Sequence, residues 1–190
     1  MRSLIVTENI SLDGVIETVD GGEPPPSGGE DLAAVMREHM AAADAVLLGR
    51  VTYEEFAGYW PAQNDDPTGI SDYLNRTTKY VVSSSLTLPD WQKTIILRGA
   101  LKDTIISLKQ SPGKDIVTTG SITLVHSLMR ENLIDAYRLF VYPVVSGRGR
   151  RLFPDGIGGK LRLVGTKSFR SGVVLLSYGG MEADHNIIPL

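Results

Sequence analysis

The stretch from Asp115 to Phe153 constrains the fold of this chain more than any other part of the sequence. An apolar run at Ile116-Val117 is followed by a Thr-Thr-Gly-Ser turn, an amphipathic segment and a second apolar run from Tyr137 to Val145. The amphipathic segment carries apolar residues at helical spacing, namely Leu124, Val125, Leu128 and Met129. A strand, a glycine turn, a helix and a strand in this order predict a βαβ unit. The turn of such a unit lies at the carboxyl end of a strand, where the free N–H groups of the helix favour an anionic ligand.

The remainder of the chain alternates apolar runs of strand length with amphipathic segments of helical period. The runs predict strands at Ser3–Ile10, Ala45–Leu48, Lys79–Ser83, Thr94–Leu97, Leu161–Ser168 and Val173–Tyr178, and Val15-Ile16 resumes the first strand after a break. The amphipathic segments predict helices at Glu30–Ala43, Tyr53 to about Tyr59, Ser71–Thr77 and Leu101–Gln110. This alternation predicts an α/β fold of three layers, with a mostly parallel sheet covered by helices on both faces. The last two strands, joined at Arg170-Ser171-Gly172, predict a C-terminal antiparallel hairpin.

A single domain is expected over residues 1–190, with a flexible Pro/Gly loop at about 18–29 and a tail at about 182–190. At the start of the second helix, Thr52 and Glu55 stand three residues apart. This spacing predicts a capping box, in which the threonine hydroxyl accepts a hydrogen bond from a free N–H group of its own helix.

Charge and composition exclude several classes of function. The net charge is −3 with acidic and basic residues mixed, so neither nucleic acid nor a membrane surface is expected as a partner. The chain has no cysteine, which excludes disulfides, thiolate metal sites and cysteine catalysis, and its three histidines lack the spacing of metal ligands. No apolar run reaches ~18 residues, and the first one is too short for a secretory signal, so a cytoplasmic protein is expected.

Three predicted strands end in turns that are rich in glycine and hydroxyl residues. Leu48-Gly49-Arg50-Val51-Thr52 and Thr119-Gly120-Ser121-Ile122-Thr123 each join a strand to a helix, and Val82-Ser83-Ser84-Ser85 leaves a third strand. Because the carboxyl ends of parallel strands share one rim, we expect these turns to converge. Their N–H groups, hydroxyls and the Arg50 guanidinium suit a pyrophosphate with an additional phosphate. One such turn is ordinarily just a helix cap, and no G-x-G-x-x-G fingerprint opens a helix, so the prediction depends on all three.

These segments, in this order, resemble the dihydrofolate reductase-like superfamily. Within it they are most similar to the reductase domain of the bifunctional riboflavin-biosynthesis deaminase/reductase and its stand-alone relatives. The resemblance spans about residues 3–178 and is carried by Ser11-Leu12-Asp13-Gly14, Leu47 to Glu54, Lys79 to Ser83, Thr119-Gly120-Ser121, Leu133-Ile134-Asp135, Pro143 to Gly149 and Leu152-Phe153. It implies NADPH as cofactor, hydride transfer to a ring C=N or a sugar carbonyl, a small-molecule substrate and a homodimer.

The resemblance also implies where the cofactor lies. Gly49, Arg50, Val51 and Thr52 would hold the pyrophosphate and the adenosine end, and Ser83 and Ser84 would lie near the adenosine 2′-phosphate. Gly120, Ser121, Ile122, Thr123 and Leu124 would bind the pyrophosphate through backbone N–H groups, and Asn9, Ile10 and Ile16 would line the nicotinamide. Thr7 and Thr119 stand where the riboflavin branch commonly has a lysine and an acidic residue, so the substrate is left open.

Asp13 is the candidate catalytic residue, because it follows the first strand near the expected nicotinamide and could bind substrate or relay a proton. It could equally be a turn aspartate that bonds its own backbone. Arg148, Arg150 and Arg151 either recognise a phosphorylated substrate or form a solvated basic loop or salt bridges across a dimer. The predicted function is an NADPH-dependent reductase of a small heterocyclic or phosphorylated substrate. The alternatives are a module on the same fold that binds a nucleotide or small ligand without turnover, and a structural dimerisation domain.

Overall fold

The computed structural model describes residues 1–17 and 29–182 of the chain. The strands are β1 (Leu4–Ser11), β2 (Val15–Glu17), β3 (Ala43–Gly49), β4 (Thr78–Val82), β5 (Thr94–Leu97), β6 (Asp115–Thr118), β7 (Ala136–Tyr142), β8 (Arg150–Arg151), β9 (Lys160–Ser168) and β10 (Val174–Glu182). The helices are α1 (Gly29–Ala41), α2 (Arg50–Tyr59), α3 (Ile70–Arg76), α4 (Leu101–Gln110) and α5 (Ile122–Arg130), and a 3-10 turn at Trp60–Ala62 follows α2. The predicted loop and tail lie outside the described residues, except for Gly29 in α1 and Glu182 at the end of β10.

Eight strands form one sheet in the order β5-β4-β3-β6-β1-β7-β10-β9. The first six in this order are mutually parallel, whereas β10 runs antiparallel to both β7 and β9. The opening βαβ prediction is confirmed, with β6 and β7 placed on either side of β1. The predicted mostly parallel sheet with a C-terminal antiparallel hairpin is therefore also confirmed.

Helices cover both faces of this sheet. On one face, α4 and α5 pack through Ile105, Val125 and Leu128 against Leu4 and Leu47 of the central strands, all of which are fully buried. On the other face, α1 packs on β7 and β10, while α2 and α3 pack on β3 and β4 in a separate apolar cluster. The central strands β3, β6, β1 and β7 thus lie inside the molecule and hold their carboxyl ends rigidly on one rim.

Several predicted boundaries differ from the structure. Helix α1 ends at Ala41 instead of Ala43, because the chain joins the sheet at Ala43, opposite Asp115. The apolar run from Tyr137 continues to Val145, but β7 ends at Tyr142, directly before Pro143, which has no N–H group to offer a sheet ladder.

The capping-box prediction is wrong. Helix α2 begins at Arg50, and Gly49 occupies the N-cap position without a side-chain hydrogen bond. Thr52 lies inside the first turn, where its hydroxyl accepts a hydrogen bond from the Ser121 backbone N–H at 2.9 Å. The local spacing was suitable for a cap, but the close approach of a second turn supplied another partner.

Strand β2 pairs with β8 in a small antiparallel sheet outside the main one. Arg150 and Arg151 therefore belong to a strand, with Arg150 in register with Glu17. Gly149 allows this approach, since a Cβ atom at that position would lie 2.3 Å from the Glu17 carbonyl oxygen. Among the described residues, no helix has the length and apolar character needed to cross a membrane.

Candidate functional site

The turns after β3 and β6 converge on one cavity of about 640 Å³ at the carboxyl rim of the sheet. Its walls are the first turns of α2 and α5, with Ile16 and Glu17 of β2 and Arg150 of β8 on a further side. Ten predicted cofactor residues line it: Ile16, Gly49, Arg50, Val51, Thr52, Gly120, Ser121, Ile122, Thr123 and Leu124. Two of the three predicted turns therefore meet as the parallel topology requires.

Both helices open on this cavity without a side-chain cap. The N-cap residues are Gly49 for α2 and Ser121 for α5, and neither helix has a capping hydrogen bond from a side chain. The first N–H groups of an α-helix have no partner within the helix, and the helix dipole gives this end a partial positive charge. Two uncapped N-termini directed at one cavity form a site for a phosphate or pyrophosphate group.

Two hydroxyls tie the turns to each other. The Ser121 hydroxyl accepts a hydrogen bond from the Gly49 N–H at 2.9 Å, and the Thr52 hydroxyl accepts one from the Ser121 N–H at 2.9 Å. Gly120 makes room for this arrangement, since it has a φ of +58° and an added Cβ would lie 3.1 Å from the Thr52 methyl carbon. We call this pair of bonds the hydroxyl clamp. It fixes the two helix N-termini relative to each other.

The charged residues of the cavity occur in pairs. The Arg50 guanidinium lies 2.7 Å from the Glu54 carboxylate, one turn further along α2. Arg150 forms a salt bridge with Glu17, and its Nη1 lies 3.3 Å from the Thr123 hydroxyl in the first turn of α5. All four of these charged side chains are about half exposed, so their pairing costs little to break.

The turn after β4 is separate from the cavity lining. Val82 reaches the cavity, but the Ser83 hydroxyl accepts hydrogen bonds from the N–H groups of Ser85 and Leu86 in its own turn. Arg98 holds the same turn by donating to the Ser84 carbonyl oxygen at 2.8 Å. Ser83 and Ser84 thus lie on the same rim without lining the cavity, and their place beside a 2′-phosphate stays a prediction.

The structure places the three residues predicted to line the nicotinamide in three different environments. Ile16 lines the cavity, whereas Ile10 is buried in the core beneath α5 and Asn9 is exposed on the opposite face of β1. Their common role stays a prediction.

Asp13 connects two loops. Its carboxylate accepts hydrogen bonds from the Ser11 hydroxyl at 2.6 Å and from the N–H groups of Ser146 and Gly147 at 2.9 and 2.8 Å. These donors lower the pKa of Asp13 to about 2, with the Ser11 hydroxyl as the largest cause. At neutral pH Asp13 is therefore ionised, and its carboxylate joins the turn after β1 to the loop at Ser146 and Gly147. Its catalytic role stays a prediction.

Glu8 is a residue of this region that sequence reasoning missed. It lies on β1 between Val6 and Ile10, on the face that packs against α5, and only 4% of it is exposed. Burial raises the pKa of Glu8 well above its ordinary value, and a hydrogen bond from the Gly120 backbone N–H opposes this. One carboxyl oxygen has no hydrogen-bond partner among the described residues. A charged residue within the apolar alternation of β1 was the available signal.

Two other cavities lie away from the helix N-termini. One of about 70 Å³ lies between α1 and the sheet, where the Thr7 hydroxyl and His39 Nδ1 lack hydrogen-bond partners among the described residues. Burial lowers the pKa of His39 to about 4, so this ring is neutral at physiological pH. The other, of about 470 Å³, lies between α1 and α3 at the amino ends of β3 and β4, the rim opposite the candidate site.

Solved structures share this fold. A Shewanella sp. PV-4 protein, provisionally described as a riboflavin biosynthesis protein, matches with a TM-score of 0.74 at 19% identity, over 95% of this chain and 99% of that one. A pyrimidine reductase-like protein of Corynebacterium diphtheriae matches with a TM-score of 0.68 at 17% identity, over 95% and 92% of the two chains. These matches confirm the predicted dihydrofolate reductase-like fold.

Sequence comparison extends the relationship. The Bacillus subtilis protein YyaP, which is uncharacterized, is 31% identical over 181 residues, covering 93% of this chain and 94% of YyaP. The sequence-family model of the RibD C-terminal domain matches residues 2–175 of this chain. Because this match takes in every strand from β1 to β9 and all five described helices, the chain belongs to the RibD C-terminal domain family.

Proposed function

We propose that this protein is an NADPH-dependent reductase of a small heterocyclic or phosphorylated substrate. Membership of a family of reductase-like domains supports an oxidoreductase. The observation that carries the proposal is the cavity on which two uncapped helix N-termini and two arginines converge. This arrangement fits the pyrophosphate of a dinucleotide, which needs N–H donors and positive charge in one place.

The bound cofactor would supply a hydride to a ring C=N or a sugar carbonyl. Residues in the first turns of α2 and α5 would hold the phosphates of the cofactor. Ile16 would contact the part of the cofactor that lies nearer β2. The hydroxyl clamp would maintain the distance between the two helix ends. Because hydride transfer requires mainly the positioning of the cofactor against the substrate, a dedicated acid on the protein is dispensable. The accompanying proton would come from water.

The relatives indicate which substrate class to test first. A structural neighbour from Thermotoga maritima is described as a 5-amino-6-(5-phosphoribosylamino)uracil reductase, so an aminopyrimidine bearing a phosphorylated sugar is the first compound to test. Thr7 and Thr119 replace the lysine and the acidic residue of the riboflavin branch, and for this reason pterins and quinoid compounds belong in the same panel.

The experiment is a titration with NADPH and NADH, followed by turnover. Quenching of tryptophan fluorescence reports binding, and loss of NADPH absorbance in the presence of each candidate substrate reports reduction. Saturable NADPH binding with turnover of one substrate class is expected. Absence of binding by either dinucleotide in a folded protein would refute the proposal. Tighter binding of NADH than NADPH would refute only the preference for the 2′-phosphate.

A second function is a nucleotide- or ligand-binding module without turnover. The observation that favours it is Asp13, whose carboxylate is engaged by three donors and is ionised at neutral pH. Binding of NADPH without oxidation by any member of the panel would favour this module over the reductase.

We also propose that the protein is a cytoplasmic homodimer. The proposal of a dimer is based on the resemblance to reductases of this superfamily, many of which form homodimers. Sedimentation equilibrium at several protein concentrations tests it, and a constant monomer mass of about 20.6 kDa would reject it.

A further inference from the structure

We propose that Arg150 binds the cofactor's bridging phosphates and that Glu17 competes with them for its guanidinium. This inference rests on the proposed dinucleotide site. It assigns a binding role to an arginine of β8 and a restraining role to a glutamate on the neighbouring strand β2.

The position of Arg150 is set by backbone contacts. Strand β8 pairs with β2, and Arg150 lies in register with Glu17. Gly149, with a φ of +121°, lets the two backbones approach to a distance that any side chain would block. The neighbouring carbonyl oxygens of Arg151 and Leu152 lie 3.2 and 3.1 Å from His126 Nε2 on α5, which anchors β8 to the helix. The guanidinium therefore starts from a rigid support.

Arg150 also faces the phosphate site. It lines the cavity, and its Nη1 lies 3.3 Å from the hydroxyl of Thr123, the second residue of α5. The free N–H groups of α5 belong to this same turn. A phosphate at the helix N-terminus would therefore lie within reach of a planar guanidinium, which binds phosphate oxygens in pairs.

The charges of Glu17, Arg150 and the phosphate explain how Glu17 affects binding of the cofactor. Glu17 and Arg150 form an ion pair in which both side chains are about half exposed, and such pairs contribute little stability in water. The two bridging phosphates of a dinucleotide together carry two negative charges, against one for the carboxylate, and they are also held by the helix N-terminus. Arg150 would then exchange Glu17 for the phosphate on binding. The glutamate lowers the affinity because its ion pair with Arg150 must open before the guanidinium can bind the phosphate.

The test is a double-mutant cycle on the folded full-length protein, with NADPH dissociation constants measured by titration calorimetry. Arg150→Gln should weaken NADPH binding about tenfold or more, because a charge-assisted contact is lost. Glu17→Gln should tighten binding about threefold. In the double variant, Glu17→Gln should have no tightening effect, because the arginine it restrains is absent.

A matched control is Arg151→Gln, which removes the same charge from the next residue, whose side chain is outside the cavity lining. It should change the affinity less than twofold. NADH binding should respond to Arg150→Gln as strongly as NADPH binding, since the bridging phosphates are common to both.

Each remaining outcome decides against the inference. An affinity of the Arg150→Gln variant within twofold of the wild type would remove Arg150 from the site. Equal tightening by Glu17→Gln with and without Arg150 would show simple charge repulsion. A loss confined to NADPH would move Arg150 to the 2′-phosphate. In these three cases the dinucleotide site itself survives, whereas a wild-type protein that binds neither dinucleotide would overturn both proposals.

Discussion

At the scale of single residues, Glu8 shows how this fold tolerates an unfavourable group. A carboxyl group that is almost fully buried, with one oxygen lacking a partner, destabilises the folded state. Within the part of the chain that the structure describes, the donor to this carboxyl group is the Gly120 N–H, in the turn that lines the candidate site. Such a group is expected where function, and not stability, sets the residue type.

Glu8→Gln should therefore be more stable than the wild type, and this difference in unfolding free energy should grow as the pH rises. Because the folded pKa of Glu8 is raised, the native state binds more protons than the unfolded state above the ordinary glutamate pKa. The wild type then loses stability as the pH rises through the folded value. Glu8→Gln should match the wild type at low pH and exceed it by at least about 1 kcal/mol at high pH. Urea unfolding from pH 4 to 9 measures this, and parallel pH profiles would contradict it.

Gly149 provides a second prediction at this scale. Gly149→Ala should destabilise the protein by more than about 2 kcal/mol, because the new methyl group would lie 2.3 Å from the Glu17 carbonyl oxygen and β2 would have to separate from β8. The control is Gly156→Ala, where φ is +81° but no atom lies within 4 Å. It should cost only about 1 kcal/mol of backbone strain. Equal losses in thermal unfolding of the two variants would show that the close approach is unimportant.

At the scale of elements, the hydroxyl clamp decides how α2 and α5 meet. Helix α5 was recognisable from its amphipathic spacing and α2 as the segment after a glycine turn, but the relation between them depends on two bonds made by Thr52 and Ser121. Ser121 adopts a left-handed conformation with a φ of +49°, which is uncommon for a residue with a side chain. The bond to the Gly49 N–H gives a reason for serine at this position.

Loss of the clamp should affect both stability and binding. Ser121→Ala leaves the Gly49 N–H without its acceptor and should cost about 1–2 kcal/mol of unfolding free energy. NADPH affinity should fall as well, because the two helix ends are no longer fixed. Thr52→Val should behave similarly, and the pair should couple by about 0.5 kcal/mol or more.

Ser127→Ala is the control for the stability measurement, since among the described residues that hydroxyl bonds the Thr123 carbonyl oxygen within its own helix, α5. Its unfolding free energy should change by less than about 0.5 kcal/mol. Additive effects of the Thr52 and Ser121 substitutions, with no change in NADPH affinity, would show that the two bonds act separately and do not shape the site.

At the scale of the whole molecule, the strand order separates a rigid centre from an exposed edge. Strands β3, β6, β1 and β7 are flanked on both sides and covered on both faces, whereas β9 is an edge strand with most of its residues exposed. Local opening is easiest where few apolar contacts must break. The candidate site lies at the ends of the rigid strands, which suits a site that holds its ligand by fixed geometry.

Amide hydrogen exchange should follow this division. We expect the slowest exchange in β1, β3 and β6 and much faster exchange in β9, when peptide fragments are analysed by mass spectrometry. Protection of β9 equal to that of β1 would contradict the prediction and would indicate that a second chain covers this edge in solution.

The local elements could be read from the sequence because their signals are local. The strand Thr94–Leu97 and the helix Leu101–Gln110 have the predicted bounds, and the βαβ unit predicted from one stretch is present. Period-two and period-3.6 patterns of apolar residues show which side of a strand or helix is buried. Each pattern lies within a short run of consecutive residues, so it can be recognised without the tertiary structure. The parallel order then brought Gly49 and Gly120 to one rim by topology alone.

Only the tertiary structure decided which polar groups meet. The sequence determined an α/β sheet with glycine turns on one rim, whereas the pairing of Arg150 with Glu17, 133 positions apart, depends on how a loop folds back over that rim. The same holds for Thr52, which bonds Ser121 instead of capping its own helix, and for Glu8, whose burial depends on the strands and helix around it. Hydrogen bonds and ion pairs act over a few ångströms, so their partners are set by the packed positions of distant segments, which no local periodicity contains.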